Sequence, residues 1–424
     1  MSTLLANSTT YKPTLEAVKQ AAIRISKVVV KTPLGESFTY SKKYAANIFL
    51  KREDLQQVRS YKIRGAYNKI SSLSQEQLDK GVICASAGNH AQGVAFACNK
   101  LSAKGVIFMP VTTPKQKVEQ TEMFGGEWVE VILKGDTFDD AYKNAVTYGD
   151  LNKLVFIHPF DDEKVIEGQA TIGLEILEQA EGPIDYVFAP LGGGGLLAGL
   201  SSVFKQLSPN TKIIGVEPEG APSMSFSLKE GKVVELSEID RFVDGAAVQK
   251  VGARNFAICR DSLDEMVTVP EGKICQTILD LYNKDAIVVE PAGAMAITAL
   301  DSFQEEIKGK NVVCIVSGSN NDITRTAEIK ERALLYAGLK HYFIIRFPQR
   351  AGALKEFVAE ILGPDDDITH FEYSKKHHRE NGPAVVGIEL KDPADFDELV
   401  GRMKAKNFYG QYLNDKPDLF QFLI

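Results

Sequence analysis

No apolar run in this chain is long enough to cross a bilayer, which argues against a membrane-spanning role. The sequence also lacks any Cys-x-x-Cys pair. Its five cysteines (Cys84, Cys98, Cys259, Cys275 and Cys314) are scattered, and four lie inside apolar stretches, where a reduced thiol behaves as a small hydrophobe. That usage fits a reducing, cytoplasmic compartment. Met1 to Tyr11 is polar and has neither the charged nor the apolar region of a signal peptide, which leads to the same expectation. Positive charge is in deficit. Against 56 acidic residues there are 49 lysines and arginines, and the net charge of -7 opposes nonspecific nucleic-acid binding. No solenoid-type repeat is evident.

What remains is an ordinary globular composition, 44% hydrophobic and 25% charged, in 424 residues, enough for two or three domains. After a helix over 14–28, with Thr14 as its cap, short apolar strands alternate with helices. The strands are Ile48–Lys51, Val82–Ala85, Val106–Met109, Val129–Ile132, Leu154–Ile157, Tyr186–Ala189, Ile213–Glu217 and Val312–Val316. Helical stretches fall near 63–73, 91–101, 115–124, 137–149, 163–180 and 195–207. This alternation predicts an α/β fold with parallel sheets covered by helices, and binding residues in the loops after the strands' carboxyl ends. The pattern changes near Gly338. A strand over 341–347, a helix over 352–362, strands over 367–375 and 384–390, a helix over 394–406 and a strand over 408–413 follow, one β-α-β-β-α-β unit of ferredoxin-like type. The expected organisation is a domain over 1–337, with a small subdomain of roughly 53–158 inserted in a larger one, and a second domain over 338–424.

Four segments carry candidate chemistry. Lys62 sits between Tyr61 and Ile63, where packing would strip water from its ammonium and free a neutral amine for condensation with a carbonyl. Gly192, Gly193, Gly194 and Gly195 lie between a strand and a helix, so their N–H groups and that of Leu196 can converge on a phosphate. No Gly-Lys-Ser/Thr follows, which disfavours a Walker-type ATP site. Ser86, Ala87, Gly88, Asn89 and His90 follow the strand through Cys84, and their exposed N–H groups suit a carboxylate; a plain helix cap is the alternative. Ser317-Gly318-Ser319-Asn320 ends the strand through Val316 and has a turn as its alternative. Together they supply the parts of a pyridoxal phosphate (PLP) site.

At these residues the sequence resembles the fold type II PLP enzymes, whose fold is that of the tryptophan synthase β chain, and within them the biosynthetic threonine dehydratases. Ser60 to Ala66 matches the Schiff-base motif, Ser86 to Gly93 the substrate-carboxylate loop, Gly192 to Leu196 the phosphate cradle, and Ser317-Gly318-x-Asn320 the segment near the pyridine nitrogen. Glu290-Pro291-Ala292-Gly293 is a fifth, weaker match. The resemblance implies that Lys62 binds the cofactor and later removes the Cα proton, that Asn89 hydrogen-bonds the ring 3′ oxygen, and that Ser317 faces the ring nitrogen. A serine there makes the ring a milder electron sink than an aspartate would, which favours loss of a β-hydroxyl over transamination. The implied reaction is deamination of L-threonine to 2-oxobutanoate, with L-serine as a secondary substrate.

Three departures have consequences. Tyr61 stands where the family commonly has phenylalanine. Ala87 stands where serine racemases carry a serine, which disfavours racemisation. Glu217 and Ala221 match a divalent-cation pattern whose aspartate is here Ser223, so no required metal is expected. In the C-terminal domain, Gly352 within Phe347 to Leu354 and Tyr373 resemble the effector-binding residues of ACT-like domains, implying inhibition by isoleucine with valine as a counter-effector. A structural or dimerising role is the alternative for that domain. The basic run Lys375 to Arg379 reads as a solvated hairpin tip. Relatives of this fold are homodimers or homotetramers. A β-replacement enzyme, or an amino-acid sensor without activity, remains as an alternative function.

Overall fold

A computed structural model describes residues 11–373, 381–416 and Leu419. The basic run Lys375 to Arg379 and most of the Met1 to Tyr11 segment lie outside them. The chain forms two compact units, Met1–Ile323 and Thr324–Ile424. The division falls before the helix Thr326–Tyr336, ahead of Gly338, because that helix packs within the second unit, where Tyr342 Oη donates to Glu331 at 2.6 Å. Among the described residues, no helix is long and apolar enough to cross a membrane.

The first unit contains β1 (Leu34–Glu36), β2 (Asn47–Arg52), β3 (Val82–Ala85), β4 (Gly105–Met109), β5 (Val129–Leu133), β6 (Val155–Phe156), β7 (Tyr186–Pro190), β8 (Lys212–Pro218), β9 (Glu265–Val269) and β10 (Asn311–Val316). They form two sheets, one in the order β1-β2-β10-β7-β8-β9 and one in the order β5-β4-β3-β6. All pairings are parallel except β1 with β2. The central strands β3 and β7 are buried along their whole length, as continuous apolar runs require when helices cover both faces. The four-stranded sheet lies within the 53–158 stretch expected to form the small subdomain.

Helices join the sheets through glycine contacts. The helix Lys62–Ser71 crosses Glu163–Gln179 so closely that a Cβ on Gly168 would lie 2.6 Å from Arg64 O. Gly199 brings the helix Gly195–Leu207 onto the same partner; a Cβ there would lie 2.7 Å from Ala170 N. Beside the first crossing, the buried Arg64 guanidinium donates twice to Glu53, at 2.8 Å each, and to Glu175 at 2.7 and 2.9 Å. Lys51 Nζ completes the cluster with Glu175 Oε2 at 2.7 Å and Thr32 O at 2.7 Å. This network fixes the helix that begins at Lys62.

The second unit holds β11 (Lys340–Pro348), β12 (Asp367–Tyr373), β13 (Asn381–Glu389) and β14 (Tyr409–Tyr412), antiparallel in the order β12-β13-β11-β14. The helices Ala353–Glu360 and Phe396–Ala405 complete its β-α-β-β-α-β order. Phe343, Phe347, Phe357, Met403 and Phe408 form its core.

Candidate active site

Lys62 is the first residue of its helix, whose N-terminal end carries partial positive charge and disfavours an ammonium. Its Nζ donates to Pro159 O at 2.8 Å and lies 5.4 Å from the centroid of the Tyr61 ring. Among the described residues no carboxylate forms an ion pair with it. Burial pushes the amine down to about 8, partly opposed by the negative charge of Glu290. Tyr61 is partly buried and packs against the core of the larger sheet, and its N–H donates to Ser317 O at 3.1 Å, so the end of β10 is tied to the start of the lysine's helix.

Lys62 lines a cavity of about 500 Å³ into which the carboxyl-terminal ends of both sheets open. From β3 come Ser86, Ala87, Gly88, Asn89 and His90, all of them lining residues. The helix Asn89–Leu101 begins without a side-chain cap, so its first N–H groups are left for a ligand. A Cβ on Gly88 would meet nothing within 4 Å, which leaves room for a carboxylate against that backbone. His90 Nε2 lies 2.9 Å from Ile157 O, and burial lowers the imidazole to about 3, so this ring stays neutral and donates to the carbonyl.

From β7 comes the glycine loop, of which Gly193 lines the cavity. Gly194 has φ +90° and begins the helix Gly195–Leu207 without a side-chain cap. Among the described residues, no N–H group from Gly192 to Leu196 reaches a protein acceptor outside its own helix. The loop is packed from behind. A Cβ on Gly193 would lie 2.2 Å from the Phe160 ring, and one on Gly192 would lie 2.9 Å from Ala246 Cα. Gly193 O accepts from Asn255 Nδ2 at 2.7 Å. His158 Nδ1 accepts the N–H groups of Phe160, at 3.2 Å, and Asp161, at 2.8 Å, which puts its proton on Nε2. Burial lowers His158 to about 4.

The end of β10 brings Ser317, Gly318 and Asn320. Ser317 is buried and is not one of the cavity-lining residues, whereas Asn320 is. Asn320 Nδ2 donates to Asn89 Oδ1 at 2.6 Å, and Asn89 Nδ2 donates to Glu290 Oε1 at 2.7 Å. Glu290 is buried, and desolvation with the charge of Asp244 raises its carboxyl to about 7. Sequence reasoning counted Glu290 only within the weaker Glu290-Pro291-Ala292-Gly293 match and assigned it no role of its own. His158, Phe160 and the pair of Lys117 and Asp244, 2.6 Å apart on the cavity wall, were missed altogether. At the end of β8, Glu217 is occupied otherwise. It accepts the N–H of Met224 at 2.6 Å, and from Ser225 the N–H at 2.9 Å and the hydroxyl at 2.7 Å. Ser223 turns its hydroxyl to Val248 O.

The residues fit PLP on chemical grounds. An amine of lowered pKa suits an aldehyde, unpaired N–H groups at a helix start suit a phosphate, and Asn89 retains one N–H for a ring oxygen. The fold and this donor set define a PLP-dependent enzyme of fold type II. Comparison with known proteins agrees. Residues 25–318 match the family described as pyridoxal-phosphate dependent enzyme, and residues 331–423 match the C-terminal regulatory domain of threonine dehydratase. The biosynthetic L-threonine dehydratase IlvA of Halalkalibacterium halodurans is 59% identical over 94% of this chain and 96% of that protein. Its Bacillus subtilis counterpart is 54% identical over 96% of each. The structure of processed threonine deaminase isoform 2 from Solanum lycopersicum has a TM-score of 0.71 at 45% identity, covering 76% of this chain and 95% of that one. The chain belongs to the biosynthetic threonine dehydratase family.

Proposed function

We infer that the enzyme converts L-threonine to 2-oxobutanoate and ammonia by β-elimination of the hydroxyl, the first committed step of isoleucine biosynthesis. The observation that carries this reading is the Lys62 amine, lowered to about 8 and sharing one cavity with the uncapped start of the Asn89 helix. PLP, when bound, supplies an aldehyde for the substrate amine and a ring that withdraws electrons from Cα. The chain's own groups bind, orient and move the proton. Lys62 Nζ would hold the cofactor, and its neutral amine would take the proton from the substrate Cα. The N–H groups of Gly192, Gly193, Gly194, Gly195 and Leu196 would hold the phosphate, Asn89 would donate to the ring oxygen, and Ser317 would be the residue nearest the ring nitrogen. Ser86, Ala87, Gly88, Asn89 and His90 receive the substrate carboxylate. His90, neutral throughout the physiological range, orients and does not transfer protons. Ala87 offers no hydroxyl to the opposite face, which supports elimination over racemisation.

The second unit is read as the site of feedback control by isoleucine, with valine opposing it. Gly352, at φ +84°, begins the helix Ala353–Glu360 without a side-chain cap and with open space where a Cβ would be. The Tyr373 ring stands 5.0 Å from that of Phe347 at the start of the same turn. The working form is a cytoplasmic homodimer or homotetramer. The test is an assay of purified enzyme on threonine and serine, with and without isoleucine. The kcat/KM for threonine exceeds that for serine, and a chain ending near residue 323, where the first unit ends, still binds PLP but ignores isoleucine. A preference for serine overturns the substrate, and unchanged inhibition of the truncated chain overturns the regulatory assignment.

A further inference from the structure

An asparagine side chain has nearly the same shape whichever way its amide is turned, so only its neighbours decide whether a donor or an acceptor faces a ligand. Asn89 sits in the cavity wall, where that choice matters. The neighbours form a chain of one-way constraints that starts at a group with no freedom. Val58 O is a backbone carbonyl and can only accept. It takes one N–H of Asn320 Nδ2 at 2.9 Å, so the nitrogen end of Asn320 faces that way. The same nitrogen gives its other N–H to Asn89 at 2.6 Å, which compels the oxygen of Asn89 to face Asn320. Asn89 Nδ2 therefore lies on the opposite side, where Glu290 Oε1 accepts one of its N–H groups at 2.7 Å. Glu290 presents an acceptor whether it is ionised or protonated.

The Glu290 side chain has no room to turn away. A Cβ on Gly318 would lie 2.4 Å from Glu290 Oε1, and the backbone N–H of Asn320 also reaches the carboxyl. The arrangement carries a cost, because Asn320 Oδ1 is buried without a hydrogen-bond partner. A buried acceptor left unpaired beside a cavity marks an orientation held for a reason other than local stability.

We propose that Glu290 is a positioning residue which, together with Asn320, fixes the Asn89 amide so that a nitrogen donor, never an acceptor, is offered to the cofactor ring. This rests on the assignment of Asn89 to that ring, and it adds a role for a carboxylate that does not itself take part in the chemistry.

The test uses the full chain, stripped of PLP and titrated with it, and reads the PLP dissociation constant and the absorption maximum of the bound cofactor. Glu290→Ala removes the acceptor and frees the amide to turn. We expect a rise of about tenfold in the dissociation constant, the scale of one lost hydrogen bond, and a displaced absorption maximum. Glu290→Gln retains an acceptor oxygen and stays within about twofold of the native constant. Should Glu290→Ala fail to fold, judged by circular dichroism, Asn320→Asp replaces it; that change removes the N–H which holds the Asn89 oxygen, along with the one given to Val58 O, and gives the same displacement. Native binding and spectrum in Glu290→Ala or Asn320→Asp overturn the proposal. So does a Glu290→Gln as impaired as Glu290→Ala, because charge and not direction would then be the requirement. Asn89→Ala separates the underlying reading: native binding there removes Asn89 from the cofactor altogether, whereas impaired binding there with a native Glu290→Ala removes the positioning role alone.

Discussion

Lys62 and Arg64 stand on one helix, with a single residue between them, and the protein treats the two cations in opposite ways. Arg64 is fully buried and meets two carboxylates, which hold its guanidinium charged and raise its pKa further. Lys62 meets one backbone carbonyl, and its amine falls to about 8. The same helix thus carries a charge that is fully neutralised by its surroundings and one that is not. Neutralisation makes Arg64 structural, since removing one member of a buried ion cluster strands the others. The lack of a partner makes Lys62 reactive, since the neutral amine is the nucleophile and base.

The largest expected effects come from breaking each half separately. Lys62→Ala lowers kcat by at least about 10³-fold, as loss of a general base does, while the melting temperature of the cofactor-free protein does not fall, because the substitution also removes a buried ammonium. Arg64→Met does the reverse. It leaves Glu53 without its cation and Glu175 with Lys51 alone, and destabilises the fold by about 3–5 kcal/mol in denaturant titration. Equal destabilisation by the two substitutions would erase the distinction.

Next in size is the pH dependence. The rate at which the cofactor-free enzyme takes up PLP rises with pH and is half-maximal near 8, not at the 10.5 of an ordinary lysine. The same shift acts on stability. Between these values the unfolded chain binds a proton that folded Lys62 has lost, so Lys62 lets the cofactor-free fold gain stability as pH rises through that window. Below pH 8 the burial penalty is present in full. Lys62→Met removes this dependence; an unaltered pH profile of unfolding in that variant means that Lys62 is not the group responsible.

The comparison also explains what could be read from sequence. Strands β3, β7 and β10 are unbroken apolar runs between glycine-rich or polar turns, and their bounds follow within a residue. β1 has three residues and β9 is exposed or half-buried at all but its last position on a sheet edge, and neither stands out. Between Pro218 and Asn311 the helices Ser223–Glu230, Ala253–Ser262 and Glu271–Asp285 went unread, because no strands intervene to punctuate them except β9. Lys62 and the loops that follow β3, β7 and β10 were legible because each is a local pattern. Glu290 was not, because its partner Asn89 lies 201 residues away and only the fold brings them together. Asp161 behaves likewise: it accepts the N–H groups of Ala253 and Arg254, at 3.0 Å each, and so starts a helix from far along the chain.

The smallest effect belongs to Lys117 and Asp244. Their ion pair is as short as any around Arg64, 2.6 Å, but its side chains are 20% and 39% exposed. Water already solvates both partners, so the pair lacks the desolvation that makes the Arg64 cluster indispensable. Lys117 belongs to the helix Lys115–Gly125 beside the four-stranded sheet, and Asp244 to the segment that follows the helix Ser223–Glu230, so the pair joins opposite walls of the cavity. A double-mutant cycle with Lys117→Ala and Asp244→Ala should give a coupling of about 0.2–1 kcal/mol in kcat/KM for threonine. Added salt should reduce it, because exposed charges are screened. A coupling that matches the Arg64 cluster, or one indifferent to salt, would mean that bound substrate closes this pair away from water, and the contrast between solvated and buried cations would then not extend to the enzyme during turnover.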